Sequence, residues 1–221
     1  MGGEAHACDG AAMRDDDERA LLSRIAGGDQ HALRCLYAAY RARLWSYLFH
    51  QLDGDAGWTE EILQDAFLAV WRSAGTYRGE AQPATWLFRV AHNLAANARR
   101  ARGRRPQGER LDVADADDEW GDVLAEASHE DAVLDRLTLA AALDRLSPAH
   151  REALDLCFVQ GFRIEEVATI LDIPPGTVKS RISYARRALG AHLAAERREY
   201  ADGVDDAHTA ATAGEGCREG R

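Results

Sequence analysis

Apolar residues along this chain recur every three or four positions, and no stretch keeps the strict alternation of a half-buried strand. The pattern predicts a first helix over residues 19–26, a Gly27-Gly28 break, and a longer helix over 32–51 rich in Tyr, Leu and Trp. After a turn at 54–57, a helix over 59–72 places Ile62, Leu63, Ala66, Phe67, Val70 and Trp71 on its buried side. Pro83 suits a first helical turn, where its missing N–H costs nothing, and opens a fourth helix with Leu87, Val90, Ala91, Leu94 and Ala98 inward. A second block predicts helices over 131–144, 148–159, 164–171 and 176–195, with Ser147-Pro148 as an N-cap and N1 pair. The fold class is all-α: two small helical domains, residues 19–102 and 130–195. Between them, 103–129 is expected to be a flexible acidic linker, with a disordered acidic N-terminus over 1–18 and a flexible tail over 196–221.

The polar faces carry the chemistry. Residues 161–189 predict two short helices joined by a tight turn. Val167, Ala168, Ile170 and Leu171 face inward on the first helix, and Val178, Ile182, Ala185 and Leu189 align on the second. Thr177 is a candidate N-cap of that second helix. Its outer face presents Ser180, Ser183, Tyr184 and Arg187, flanked by Lys179, Arg181 and Arg186. A polar, cationic helix backed by a short one can seat side chains in a DNA major groove, although many helical hairpins of this shape are purely structural.

A second stripe lies upstream. Trp86, Arg89, Asn93, Asn97 and Arg100 fall three or four residues apart, and residues 86–105 hold six arginines and no acid. Rings stack on splayed bases, amides meet base edges, and guanidinium groups hold phosphates.

The net charge of −10 sits oddly beside two basic helices until its distribution is read. Residues 109–135 hold eleven acids and one arginine, as much negative charge as the whole chain. A field so mixed binds bare duplex weakly and needs something else to present it to DNA. The four cysteines (Cys8, Cys35, Cys157, Cys217) stand far apart without a CxxC pair, so neither a metal site nor a disulfide is expected. No Ser/His/Asp or Cys/His triad and no phosphate loop stands out, so no catalytic residue and no cofactor is expected. No apolar run approaches the roughly 20 residues of a membrane span, and no signal peptide is visible; a cytoplasmic location is expected.

Three collinear segments, TEEILQDAFLAVWR, YRGEAQPATWLFRVAHNLAANARRARGRR and LSPAHREALDLCFVQGFRIEEVATILDIPPGTVKSRISYARRAL, resemble the extracytoplasmic-function (group 4) sigma factors of bacterial RNA polymerase. The resemblance runs from about residue 21 to 193, in the order of the family's regions two and four. It implies a non-enzymatic subunit that binds core RNA polymerase and directs initiation at −10 and −35 promoter elements, monomeric when free and held by an anti-sigma factor. It makes Glu61, Gln64, Asp65 and Leu68 the face that docks on the β′ clamp helices, with region four expected on the β flap. Residues 74–82 correspond to the loop that holds a base flipped from the −10 element, with Tyr77 and Arg78 at its centre. Trp86, Arg89, Asn93, Asn97 and Arg100 complete the −10 set; Thr177, Lys179, Ser180, Arg181, Ser183, Tyr184 and Arg187 form the −35 set.

Two departures stand out. Asp172 occupies a turn position where the family usually has Gly, and Asp tolerates the left-handed conformation better than most residues. Tyr184 stands where an arginine is common, which bears on the −35 sequence preferred. A stand-alone dimeric regulator and a recombinase are the rival readings. The first is disfavoured by the acidic balance, and the second by a first domain too short and too helical for its catalytic chemistry.

Overall fold

Every regular element among the described residues is a helix, as the periodicity predicts. The computed structural model describes residues 15–103, 139 and 141–195 with their side chains, and the backbone of 196–213. The expected linker beyond residue 103, most of the expected helix over 131–144, and Cys8 and Cys217 lie outside the described residues.

In chain order the helices are α1 (Asp15–Ala26), α2 (Gln30–Gln51), α3 (Ala56–Ser73), a short 3-10 turn (Ala74–Thr76) and α4 (Pro83–Gly103). Then come α5 (Pro148–Leu154), a π turn (Asp155–Val159), α6 (Ile164–Leu171) and α7 (Pro175–Ala213). Two compact units emerge. The first holds α1 to α4 together with Glu152–Lys179; the second holds the described parts of Gly121–Arg151 and Ser180–Arg221.

The first unit is built on apolar burial. Leu22, Ile25, Leu36, Leu44, Leu48, Leu63 and Phe88 are all fully buried, each such side chain stabilising by about 1.5–3 kcal/mol. α1 begins at Asp15, four residues before the expected start. Its first turn, Asp15 to Glu18, is acidic, which suits the positive end of the helix dipole. Glu18 is also buried, its carboxylate accepting from the Tyr40 hydroxyl, and burial pushes its pKa up.

Two aspartates set the helix starts. Asp29 accepts from the N–H groups of His31 and Ala32 to cap α2, and Arg24 donates to its other oxygen. Asp55 caps α3 by accepting from Trp58 N–H at 2.9 Å. Its second oxygen takes a 3.0 Å bond from Arg102, whose guanidinium lies over the Trp58 ring. The backbone bond from Trp58, aided by Arg102, holds the Asp55 carboxyl below the usual range. Asp55→Ala should therefore cost about 1 kcal/mol, read as a lower urea midpoint. Because the folded pKa is depressed, this contribution is present above the ordinary aspartate range and is lost as pH falls through the lowered value.

The turn between α6 and α7 follows the expectation for Asp172. Its φ of 53° and ψ of 48° are left-handed, and the Ile173 N–H returns to the Ala168 carbonyl at 3.1 Å. The expected N-cap at Thr177 is corrected. The Pro174 carbonyl accepts from Thr177 N–H at 2.9 Å and Val178 N–H at 3.3 Å, so the helix opens at Pro175 and Thr177 lies within its first turn. Proline at the first helical position loses nothing, which explains why the double proline starts α7 rather than delaying it.

The cysteine expectation also needs correction. Cys35, on the buried side of α2, is disulfide-bonded, whereas Cys157 is free.

Candidate nucleic-acid interface

α4 presents its polar stripe as the spacing requires. Arg89, Asn93, Asn97 and Arg100 are exposed on one side, while Leu87, Phe88, Ala91 and Ala95 are buried on another. Asn97 accepts from Arg100, a bond that fixes one guanidinium along the stripe. Not every basic residue at this end is free to meet a phosphate: Arg99 donates to Gln51 and Arg102 to Asp55.

Trp86 is half-buried, its ring centroid 5.5 Å from that of Tyr77 and tilted by 54°. The Tyr77 hydroxyl donates to the Ala81 carbonyl at 2.6 Å, which closes the loop between the 3-10 turn and α4. Gly79, at φ 75°, supplies the left-handed residue the loop needs. Thr76, Tyr77, Arg78, Glu80, Trp86 and Arg89 surround a shallow cavity of about 300 Å³, the low end for small-ligand pockets. Ala81 completes the lining, and four of the seven, Tyr77, Arg78, Trp86 and Arg89, are among the residues the sequence points to. Sequence reasoning missed Thr76, Glu80 and Ala81, although all three lie in the loop it singled out. Glu80 adds a carboxylate to a lining that also holds the Tyr77 and Trp86 rings.

On α3, Glu61, Gln64, Asp65 and Leu68 are all exposed, and Leu68 keeps 48% of its surface in water. Gln64 donates to Glu60 at 3.2 Å, one turn towards the N-terminus.

The C-terminal stripe lies along α7. Lys179, Ser180, Ser183, Tyr184 and Arg187 are exposed, and Thr177 and Arg181 are half-buried. Of the apolar line expected of this helix, Val178 and Ala185 are fully buried, whereas Ile182 and Leu189 are only half-buried. In the second unit the Tyr184 ring stacks on His150 at 4.4 Å with the planes 22° apart, yet it stays 52% exposed. The partner His150 was not foreseen; it sits just after the Ser147-Pro148 helix start that the sequence does mark. Among the described residues no helix is long and apolar enough to cross a membrane.

The comparisons with known proteins coincide with these elements. A model of Sigma-70 region 2 matches residues 36–105, and one of Sigma-70 region 4 matches 136–189. The ECF RNA polymerase sigma factor SigL of Mycobacterium tuberculosis is 36% identical over 172 residues, covering 77% of this chain and 93% of its own. The ECF RNA polymerase sigma-E factor of Escherichia coli is 33% identical over 177 residues, covering 78% and 92%. Among solved structures, the sigma factor RpoE of Bartonella quintana, in complex with the anti-sigma factor NepR, aligns with a TM-score of 0.56 at 25% identity. That alignment covers 72% of this chain and 95% of the other. CnrH, in complex with the cytosolic domain of CnrY, shares the fold with a TM-score of 0.59 at 24% identity, covering 81% and 99%. With both sigma regions in order on one helical chain and relatives matched over nearly their whole length, this protein belongs to the ECF RNA polymerase sigma factors of the sigma-70 family.

Proposed function

We propose that this chain is a group 4 promoter-specificity subunit whose two helical faces read two separate DNA elements while a third face holds core RNA polymerase. The observation that carries the reading is the α4 stripe, with Arg89, Asn93, Asn97 and Arg100 exposed beside a cavity walled by Tyr77 and Trp86. In this account Arg78, Trp86 and Tyr77 receive a base extruded from the −10 element, and the stripe follows the separated strand. Thr177, Lys179, Ser180, Arg181, Ser183, Tyr184 and Arg187 meet the −35 duplex. Glu61, Gln64, Asp65 and Leu68 dock on the β′ clamp helices, and region four engages the β flap.

No bond is made or broken by the protein. Melting is driven by tighter binding to the open strand than to the duplex, so the chain acts as a ligand for one DNA state and not as an enzyme. RpoE and CnrH were each solved with a partner chain, in one case a named anti-sigma factor. That supports an anti-sigma factor as the regulator here as well, acting in the cytoplasm on a sigma factor that is monomeric when free.

The net charge of −10 opposes the basic helices when the protein is alone. Gel-shift titration of a promoter duplex should therefore show weak binding by the free chain and tight binding once core polymerase is added. Tight sequence-specific binding by the free chain at physiological salt would instead mark a stand-alone regulator.

A further inference from the structure

Within the first unit, the segment that follows Arg151 packs on α2 and α4, and the contact has a charged centre. Phe162 meets Phe88 of α4 edge-on at 4.8 Å, and the Arg43 guanidinium lies against both rings. Arg43 also donates to the Gln160 carbonyl at 2.8 Å. Beneath this apolar seam lie two carboxylates that neither DNA reading nor polymerase docking uses. Glu152 is buried; its Oε1 accepts from the Tyr47 hydroxyl at 2.7 Å and lies 2.8 Å from His92 Nδ1. Asp155 is buried one turn later, with Gln160 Nε2 at 3.4 Å from its Oδ1 and His50 Nδ1 at 3.9 Å from its Oδ2. That Oδ2 accepts no hydrogen bond.

We propose that Glu152 and Asp155, facing Tyr47 and His50 of α2 and His92 of α4, form a protonation-sensitive latch that keeps residues 152–171 on region two and releases them as pH rises.

The two carboxylates respond in opposite senses. Burial pushes Glu152 up, but the hydrogen bond and charge of His92, with Tyr47 and Arg99 adding to them, hold it below the ordinary range. Its contribution is complete above the ordinary glutamate range and is lost only in acid. Burial raises Asp155 to about 7, and the neighbouring Glu152 charge pushes the same way against the bond from Gln160. A carboxyl that keeps its proton when docked and loses it when exposed favours docking less and less as pH rises from the aspartate range to about 7. Docking is therefore strongest in mild acid, with Glu152 charged and Asp155 neutral.

The consequence for promoters rests on the reading above. Elements centred at −10 and −35 lie about 25 base pairs apart, roughly 85 Å at about 3.4 Å per step. Packed helices lie about 8–10 Å apart, and α6 packs directly on α4. A chain latched in this way cannot place α4 and the α6–α7 turn on both elements at once, so release precedes full promoter engagement.

Hydrogen exchange of the full-length chain, followed by mass spectrometry and corrected for intrinsic rates, tests the latch without polymerase or DNA. Its failure would leave promoter reading standing, and failure of promoter reading would leave its result intact. Protection of residues 161–171 should fall about tenfold between about pH 6 and about pH 8, while α3 stays protected. Asp155→Asn, a neutral isostere, should shrink that fall below about threefold, and Asp155→Ser should do the same if the asparagine variant loses α3 protection. Equal protection of 161–171 at both pH values in the natural protein would overturn the latch. So would an undiminished tenfold fall in a folded Asp155 variant.

Discussion

Trp86→Ala should leave recruitment to promoter DNA nearly unchanged and reduce promoter opening by about 5- to 150-fold, the range for losing one base–aromatic stack worth about 1–3 kcal/mol. The indole is half-buried against Tyr77 on the wall of the loop cavity, and it does not belong to the buried line of Leu87, Phe88, Ala91 and Ala95. Its removal opens the cavity while leaving the α4 core contacts in place. Fluorescence of 2-aminopurine in the −10 element reports opening, a gel shift of the polymerase complex reports recruitment, and circular dichroism checks the fold. Asn93→Ala provides the companion test, because its exposed amide can be deleted without disturbing packing. If Trp86→Ala melts the first unit, the ring is a packing residue. If both variants open DNA normally, the stripe does not hold the separated strand.

Arg187→Ala should act one step earlier. The residue is exposed on α7, one turn beyond Ser183 and Tyr184. Loss of a direct base contact there should weaken recruitment by about 1–3 kcal/mol and relax preference at one or two base pairs of the −35 element. Opening, measured on complexes already formed, should not change. An Arg187→Ala protein that recruits normally but opens poorly would exchange the roles assigned to the two helices.

How much of this was legible beforehand depended on the distance over which each feature is decided. The bounds of α6, the start of α4 at Pro83 and the left-handed Asp172 all follow from residues within a turn or two of one another. So does the exposed Arg89–Asn93–Asn97–Arg100 stripe, because a 3.6-residue period fixes which side chains share a face. The buried side of α4 was read less well. Val90, Leu94 and Ala98 are only half-buried, whereas Phe88 and Ala95 are fully buried. Phe162, 74 residues further along the chain, covers Phe88, and no local pattern announces that contact.

The same limit explains what was missed outright. Tyr47, His92 and Glu152 come from three separate helices, and each looks unremarkable in its own helical repeat. Glu80 carries no periodic signal of its own; only the cavity groups it with the Tyr77 and Trp86 rings. Thr177 has the side chain of a good N-cap, but the double proline ending two residues earlier already starts the helix.

Transcription in vitro with purified core RNA polymerase on a library of promoter fragments tests the central claim most directly. Core enzyme with this chain should yield transcripts from a discrete set of templates sharing one −10 and one −35 sequence, and core enzyme alone should not. Transcription no different from that of core enzyme alone, or selection of templates through a single element only, would contradict the account.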